Sequence, residues 1–249
     1  MPNPAKPVKV LGVIPARLAS TRLPRKVLRP LLGEPLLAWV YRASVACPQL
    51  DRVVIAADSE EVMALCANRG FDAILTSADL PSGSDRLFAV SQQIPAEIYV
   101  NIQGDEPLLE PEHITALLAP FSQPHVDVTT LKVRCAPEEI NNPNAVKVVT
   151  APDGRALYFS RAAIPFHRDA DANPVYFKHL GLYAYRRAAL ERFAALAPTP
   201  LELTERLEQL RLLENNINLY VTETPHDTIG VDTEEDLAHV EAILRSRQA

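Results

Sequence analysis

At 249 residues the chain is long enough for one large domain or two small ones, and 47% apolar with 22% charged residues is the balance of a globular protein with a real core. A formal net charge of −6 excludes a surface built to coat nucleic acid, and no apolar run approaches the ~20 residues that span a bilayer. Three cysteines without metal-type spacing, Cys47, Cys66 and Cys135, read as reduced thiols of a cytoplasmic protein, and Arg17 follows the first apolar run too soon for a secretory leader.

The first strand is expected over Val8–Ile14, followed by a polar loop and a helix over Pro35–Cys47. A buried strand over Arg52–Ala57 leads into a helix with Asp58 as its N-terminal cap, Glu61 three residues on and Gly70 as its stop. Strand Phe71–Thr76, helix Ser84–Ile94, strand Glu97–Gln103 and helix Pro111–Phe121 continue the alternation. That rhythm predicts an α/β fold, with a mostly parallel central sheet and helices on both faces. Strand-like runs then follow with few helices between them, at 126–134, 145–151, 156–161 and 176–185. They predict an antiparallel extension, roughly residues 128–200, within a single domain spanning 8–247. Helices over Arg186–Ala195 and Leu201–Glu214, a strand over Asn218–Glu223 and a helix over Thr233–Arg247 complete the chain. The last opens with Thr233 and Asp236 in capping-box spacing.

In such sheets ligands bind beyond the carboxyl ends of the strands. Three polar loops fall there: Ala16–Lys26, Thr76–Arg86 and Gln103–Pro107. The first carries Arg17, Arg22, Arg25 and Lys26, four cations on an acidic chain, stiffened by Pro24 and preceded by Pro15. Arginine forks, a lysine point charge and the hydroxyls of Ser20 and Thr21 suit a polyanionic nucleoside triphosphate; a solvated basic loop is the other reading. In the stretch NIQGDEP, Asp105 could hold Mg²⁺ and Gly104 would admit a close backbone approach; a tight turn with an acidic tip is the alternative. Asp232 stands just before the last helix, where an acid either joins Asp105 at a metal or offsets the helix dipole. Ser82 and Gly83 suit backbone readout of a base or ribose, and Arg86 is a ligand contact or a first-turn residue.

These stretches, taken in order with NPNAVKVV, ALYFSRAAIP, KHLGLYAY, LEQLRLLE and GVDTEEDL, resemble the 3-deoxy-manno-octulosonate cytidylyltransferases over nearly the whole chain. The first-half pieces are similar to sugar nucleotidyltransferases in general, and the second-half pieces narrow the resemblance. It implies a nucleotide-diphosphosugar transferase fold with a small antiparallel dimerisation subdomain. It also implies transfer of CMP from CTP to the anomeric hydroxyl of an eight-carbon sugar acid, by a homodimer of the cytoplasm. By the same resemblance Ala16, Arg17, Ser20, Arg22, Lys26, Ser82, Gly83, Arg86 and Gln103 handle the nucleotide, and Arg17, Arg22, Lys26 and Asp105 serve the chemistry. Asp105 and Asp232 hold magnesium, and Gln103, Arg161, His179, Tyr183, Glu208 and Gln209 face the sugar.

The chain departs from the family pattern at Arg25, where glycine is usual, at Ser84 and Asp85 in the third-loop motif, and at Leu80–Pro81 before it. The implied reaction is in-line attack on the α-phosphorus, driven by positioning and electrostatics. The neighbouring expectation is a cytidylyltransferase for another acidic sugar, such as a nonulosonate. A non-catalytic nucleotide-binding regulator and a protein-interaction domain are the readings from other classes.

Overall fold

A computed structural model describes residues 8–20, 22–169 and 174–248. Thr21, expected to offer a hydroxyl beside Ser20, lies outside the described residues. The chain divides into two compact units, Met1–Ile114 with Thr228–Ala249, and Thr115–Asp227.

The first unit holds the alternating half. Its strands are β1 (Val10–Ala16), the short pair β2 (Pro30–Leu31) and β3 (Glu34–Pro35), β4 (Arg52–Ala57), β5 (Ala73–Leu75) and β6 (Ile98–Asn101). The helices α1 (Leu36–Val45), α2 (Glu60–Arg69) and α3 (Gly83–Ser91) pack on β1, β4, β5 and β6. Sheet order is β6-β1-β4-β5 with every pairing parallel, as the alternation predicts, while β2 and β3 form a separate antiparallel hairpin. The apolar runs are continuous because these strands are covered: Val53 to Ala57 are all buried, and Leu11, Val13 and Ile14 are fully so. Register sets Ala16 beside Ala57 and Val13 beside Asn101, so β1 and β4 end level while β6 stops opposite Val13 and the chain that follows it, Ile102–Asp105, runs on beside the end of β1.

Two local expectations for α2 separate here. Gly70 ends it in the left-handed conformation (φ +67), as a glycine stop should. The N-terminal cap is Ser59, whose hydroxyl accepts from Val62 N at 3.3 Å, and not Asp58. Asp58 is engaged elsewhere, as described below.

Helix α4 (Pro111–Leu118) carries the chain into the second unit. There β7 (Val128–Arg134), β8 (Lys147–Thr150), β9 (Ala156–Ser160), β10 (Phe177–Arg186) and β11 (Leu219–Glu223) pair β11-β7-β10-β8-β9. All contacts are antiparallel except β11 with β7, and β10 shifts register between Leu180 and Tyr183. Helix α5 spans Arg187–Ala194. The single helix expected over Leu201–Glu214 is instead α6 (Pro200–Glu205) and α7 (Leu210–Glu214). Arg206 breaks it at φ 56. Thr199 caps α6 in a capping box with Glu202, which also takes a bidentate contact from Arg211.

Back in the first unit, α8 (Glu234–Gln248) begins with the expected reciprocal cap. Asp236 N donates to Thr233 Oγ1 at 3.1 Å, and Thr233 N donates to Asp236 Oδ2 at 2.9 Å. That cap fixes the residue before it, Asp232, whose own N–H donates to Asp236 Oδ2 at 3.0 Å.

Candidate active site

The basic loop leaves the end of β1 and is held at its start by Asp58. Both carboxylate oxygens accept from Leu18 N, at 3.1 and 3.2 Å, and Asp58 N donates to Ala16 O at 3.2 Å. Sequence reasoning gave Asp58 to the helix cap; the signal for this second role was its place at the end of β4, level with the loop. Further along, Arg17 Nη1 donates to Pro81 O at 3.1 Å, tying the first loop to the one before α3.

At the far end of the loop Arg25 adopts the left-handed conformation (φ 57, ψ 33), and Lys26–Leu28 form a single 3-10 turn. A position of that kind favours glycine. Arg25 fills it with its side chain paired to Glu61 of α2, both of them exposed. It therefore adds no charge to the cavity described next.

Lys26 lies at the centre of the site. Its Nζ donates to Asp105 Oδ2 at 2.5 Å and to Asp232 Oδ1 at 2.8 Å. Arg22 Nη2 takes the other oxygen of Asp232 at 2.7 Å. Two acids 127 positions apart in sequence thus meet on one nitrogen, and the backbone repeats the join, since Val231 N donates to Asp105 O at 2.9 Å. Burial alone would lower the ammonium of Lys26, but Asp105 and Asp232 outweigh it and hold the group above the ordinary lysine value.

Gly104 is required where it stands: a Cβ there would meet the carbonyl oxygen of Pro15 at 2.6 Å. The backbone of the Gln103–Asp105 turn lies against the end of β1, and the acid following the glycine faces Lys26. Together these loops enclose a cavity of about 310 Å³, lined by Arg17, Ser20, Arg22, Lys26, Gly83, Gln103, Asp105 and Asp232 among others. Every lining residue belongs to the first unit. Among the described residues no group of three or more His, Cys, Asp or Glu is arranged to hold a metal. Two carboxylates converging on one cation nevertheless supply what Mg²⁺ takes from a protein when phosphate oxygens complete its shell.

The remaining nucleotide candidates divide. Ser82 caps α3, its Oγ accepting from Asp85 N at 3.1 Å, and Gly83 reaches the cavity. Ala16 is buried at the end of β1. Arg86 is wholly buried, donating to Thr76 Oγ1 and, at 3.0 Å, to Ser77 O. These contacts, both through Nη1, anchor the Thr76–Arg86 loop, while the Nε and Nη2 of Arg86 have no hydrogen-bond partner among the described residues.

Of the sugar candidates, Gln103 lines the cavity of the first unit, and the others sit in the second unit. His179 Nε2 is 3.0 Å from Thr130 Oγ1, with its ring 5.0 Å from Phe159 and 5.4 Å from Tyr183. Burial pushes the imidazole down to about 3, so it is neutral at pH 7, and burial raises the Tyr183 hydroxyl, with Tyr185 and Glu208 adding to the effect. Gln209 is buried and Glu208 lies 3.8 Å from Arg211. Arg161 spends its guanidinium on backbone carbonyls: Glu205 O and Pro143 O at 2.8 Å, and Arg206 O at 3.3 Å. The structure joins His179 with Tyr183, and Arg161 with the 205–206 turn.

Residues 11–223 match the family described as Cytidylyltransferase. A 3-deoxy-manno-octulosonate cytidylyltransferase of Acidobacterium capsulatum is 66% identical, covering 97% of this chain and 98% of its own length. The same-named protein of Koribacter versatilis is 55% identical, covering 96% and 92%. Among solved structures, CMP:2-keto-3-deoxy-manno-octonic acid synthetase complexed with CTP superposes with a TM-score of 0.92 at 38% identity, over 96% of this chain and 99% of that one.

Proposed function

The chain belongs to the 3-deoxy-manno-octulosonate cytidylyltransferases, and on that ground we propose that it transfers CMP from CTP to the anomeric hydroxyl of 3-deoxy-D-manno-octulosonate, releasing pyrophosphate. The observation that carries the reading is the meeting of Asp105, Asp232, Arg22 and Lys26 in one cavity beside Arg17. Such a site combines fixed cations for a triphosphate with a pair of hard oxygen donors.

In this mechanism Arg17, Arg22 and Lys26 bind the phosphates and stabilise the charge that builds on the departing pyrophosphate. Ser20, Gln103 and the amino end of α3 at Ser82–Gly83 position the nucleotide, with Gly104 allowing the backbone to lie close to β1. The sugar hydroxyl attacks the α-phosphorus, a new P–O bond forms, and the bond to the β-phosphate oxygen breaks. Asp105 and Asp232 would hold a magnesium ion, which when bound neutralises phosphate charge and acidifies the attacking hydroxyl. Positioning and electrostatics supply most of the rate.

Within the second unit we assign Arg161, His179, Tyr183, Glu208 and Gln209 to the sugar, and within the first unit Gln103 to the nucleotide end of the reaction. His179, held neutral by its burial, serves as a hydrogen-bonding group and not as a cation. The segment of roughly residues 128–200 also contributes the contact of a homodimer, and the enzyme works in the cytoplasm on the way to lipopolysaccharide. Among the described residues no helix is long and apolar enough to cross a membrane. The test is pyrophosphate release from CTP and magnesium with the eight-carbon acid, against UTP and a nonulosonate as controls. Release with the nonulosonate alone, or with UTP as readily as CTP, would refute the assignment.

A further inference from the structure

The cation that joins the two acids is also the one assigned to the triphosphate, and it cannot serve both at once. Lys26 Nζ lies within 2.8 Å of an oxygen on each acid, and its side chain is only 13% exposed. Arg22 closes the outer oxygen of Asp232. Counted as charges, two carboxylates face two cations. A divalent ion arriving alone at this balanced cluster finds little net attraction and must displace an ammonium that is already desolvated. The backbone under Lys26 is fixed, with Leu28 N donating to Arg25 O at 2.9 Å and Arg29 N to Lys26 O at 3.0 Å. The lysine stem above it is flexible, so its ammonium can turn to a new anion without moving the loop.

We propose that Lys26 is an internal counter-ion that keeps Asp105 and Asp232 closed to divalent cations until a triphosphate draws its ammonium away, so that metal and nucleotide load together. This rests on the cytidylyl-transfer reading. A polyphosphate offers Lys26 and Arg22 a stronger anion than the two carboxylates do. Once both cations have turned to it, the acids face each other without a partner, and that is the arrangement with the highest affinity for a divalent ion. Binding of either ligand then favours the other by the same factor.

The test is binding of Mn²⁺ alone, read as free Mn²⁺ by electron paramagnetic resonance, with no nucleotide present. Lys26→Met is expected to bind Mn²⁺ at least tenfold more tightly than the wild type, and Lys26→Met/Asp232→Asn is expected to lose that gain. A gain below threefold, or one that persists in the double variant, overturns the proposal. Lys26→Gln carries the same comparison should the methionine variant fail to fold. In the wild type, the ammonium ¹⁵N resonance of Lys26 is expected to stay in place on adding Mg²⁺ and to shift when CTP and Mg²⁺ are added together; a shift on Mg²⁺ alone also overturns it. Pyrophosphate release by the wild type is measured on the same preparation. Normal release with unmoved metal affinity removes only the counter-ion, whereas absent release removes the cytidylyltransferase reading.

Discussion

Replacing Gly104 by alanine is expected to damage catalysis more than folding. The added Cβ would sit 2.6 Å from the backbone oxygen of Pro15, inside the 3.0 Å that such contacts essentially never breach. Neither partner is the end of a flexible side chain, so either the end of β1 or the Gln103–Asp105 turn must shift by several tenths of an ångström. Overpacking of this kind costs about 1–3 kcal/mol, of which the lower chain entropy of alanine returns up to ~1 kcal/mol. The net cost is up to about 3 kcal/mol, which for a chain of this length lowers Tm by up to roughly 12 °C. Both segments carry the site: β1 leads into the basic loop, and the turn presents Asp105 to Lys26. A misplacement approaching 1 Å is expected to lower kcat by about a hundredfold. Thermal melts and steady-state pyrophosphate release read the two effects separately. A variant with wild-type Tm and wild-type kcat would show that the approach of Gly104 to Pro15 has no bearing on the site.

Three further outcomes follow from particular contacts. Asp58→Ala removes a charged acceptor from Leu18 N, which costs about 1.5–3 kcal/mol in local order; KM for CTP is expected to rise at least fivefold with the melt still cooperative, and Asp58→Asn to recover part of it. Arg25→Gly relieves a left-handed residue and loses only an exposed ion pair, so stability is expected to change by less than ~1 kcal/mol and kcat/KM for CTP by less than twofold; a tenfold fall in kcat/KM would place Arg25 on the phosphates after all. His179 binds its proton only near pH 3 when folded but near 6.5 when unfolded, so the unfolded chain holds more protons between these values and stability rises with pH across that window. Acidifying from pH 7 to 5 is expected to remove up to about 2 kcal/mol through this group, and His179→Gln to flatten that part of the urea-midpoint profile; an unchanged profile would place the imidazole in contact with water.

Much of the first unit was legible because its signals are local and repeated. Val53–Ala57 reads as a covered strand, Gly70 as a stop, and Thr233 with Asp236 as a cap, and each depends only on its near neighbours. What escaped the sequence was decided by distant partners. Asp58 and Ser59 are both good caps, and only Leu18 N, 40 positions upstream, settles which one does the capping. The break at Arg206 interrupts an apolar rhythm with neither glycine nor proline to mark it. Arg86 reads as a ligand contact or a first-turn residue, and its burial against Thr76 and Ser77 has no local signal. At Arg25 the departure from the family pattern was visible, but its consequence, a side chain turned to Glu61, was not.

Anomalous diffraction from crystals grown with CTP and Mn²⁺ tests the account most directly. It predicts a manganese peak bound by a carboxylate oxygen from each of Asp105 and Asp232, with the Lys26 ammonium moved onto the phosphates. A peak held by other residues, with Lys26 still bridging the two acids, would contradict it.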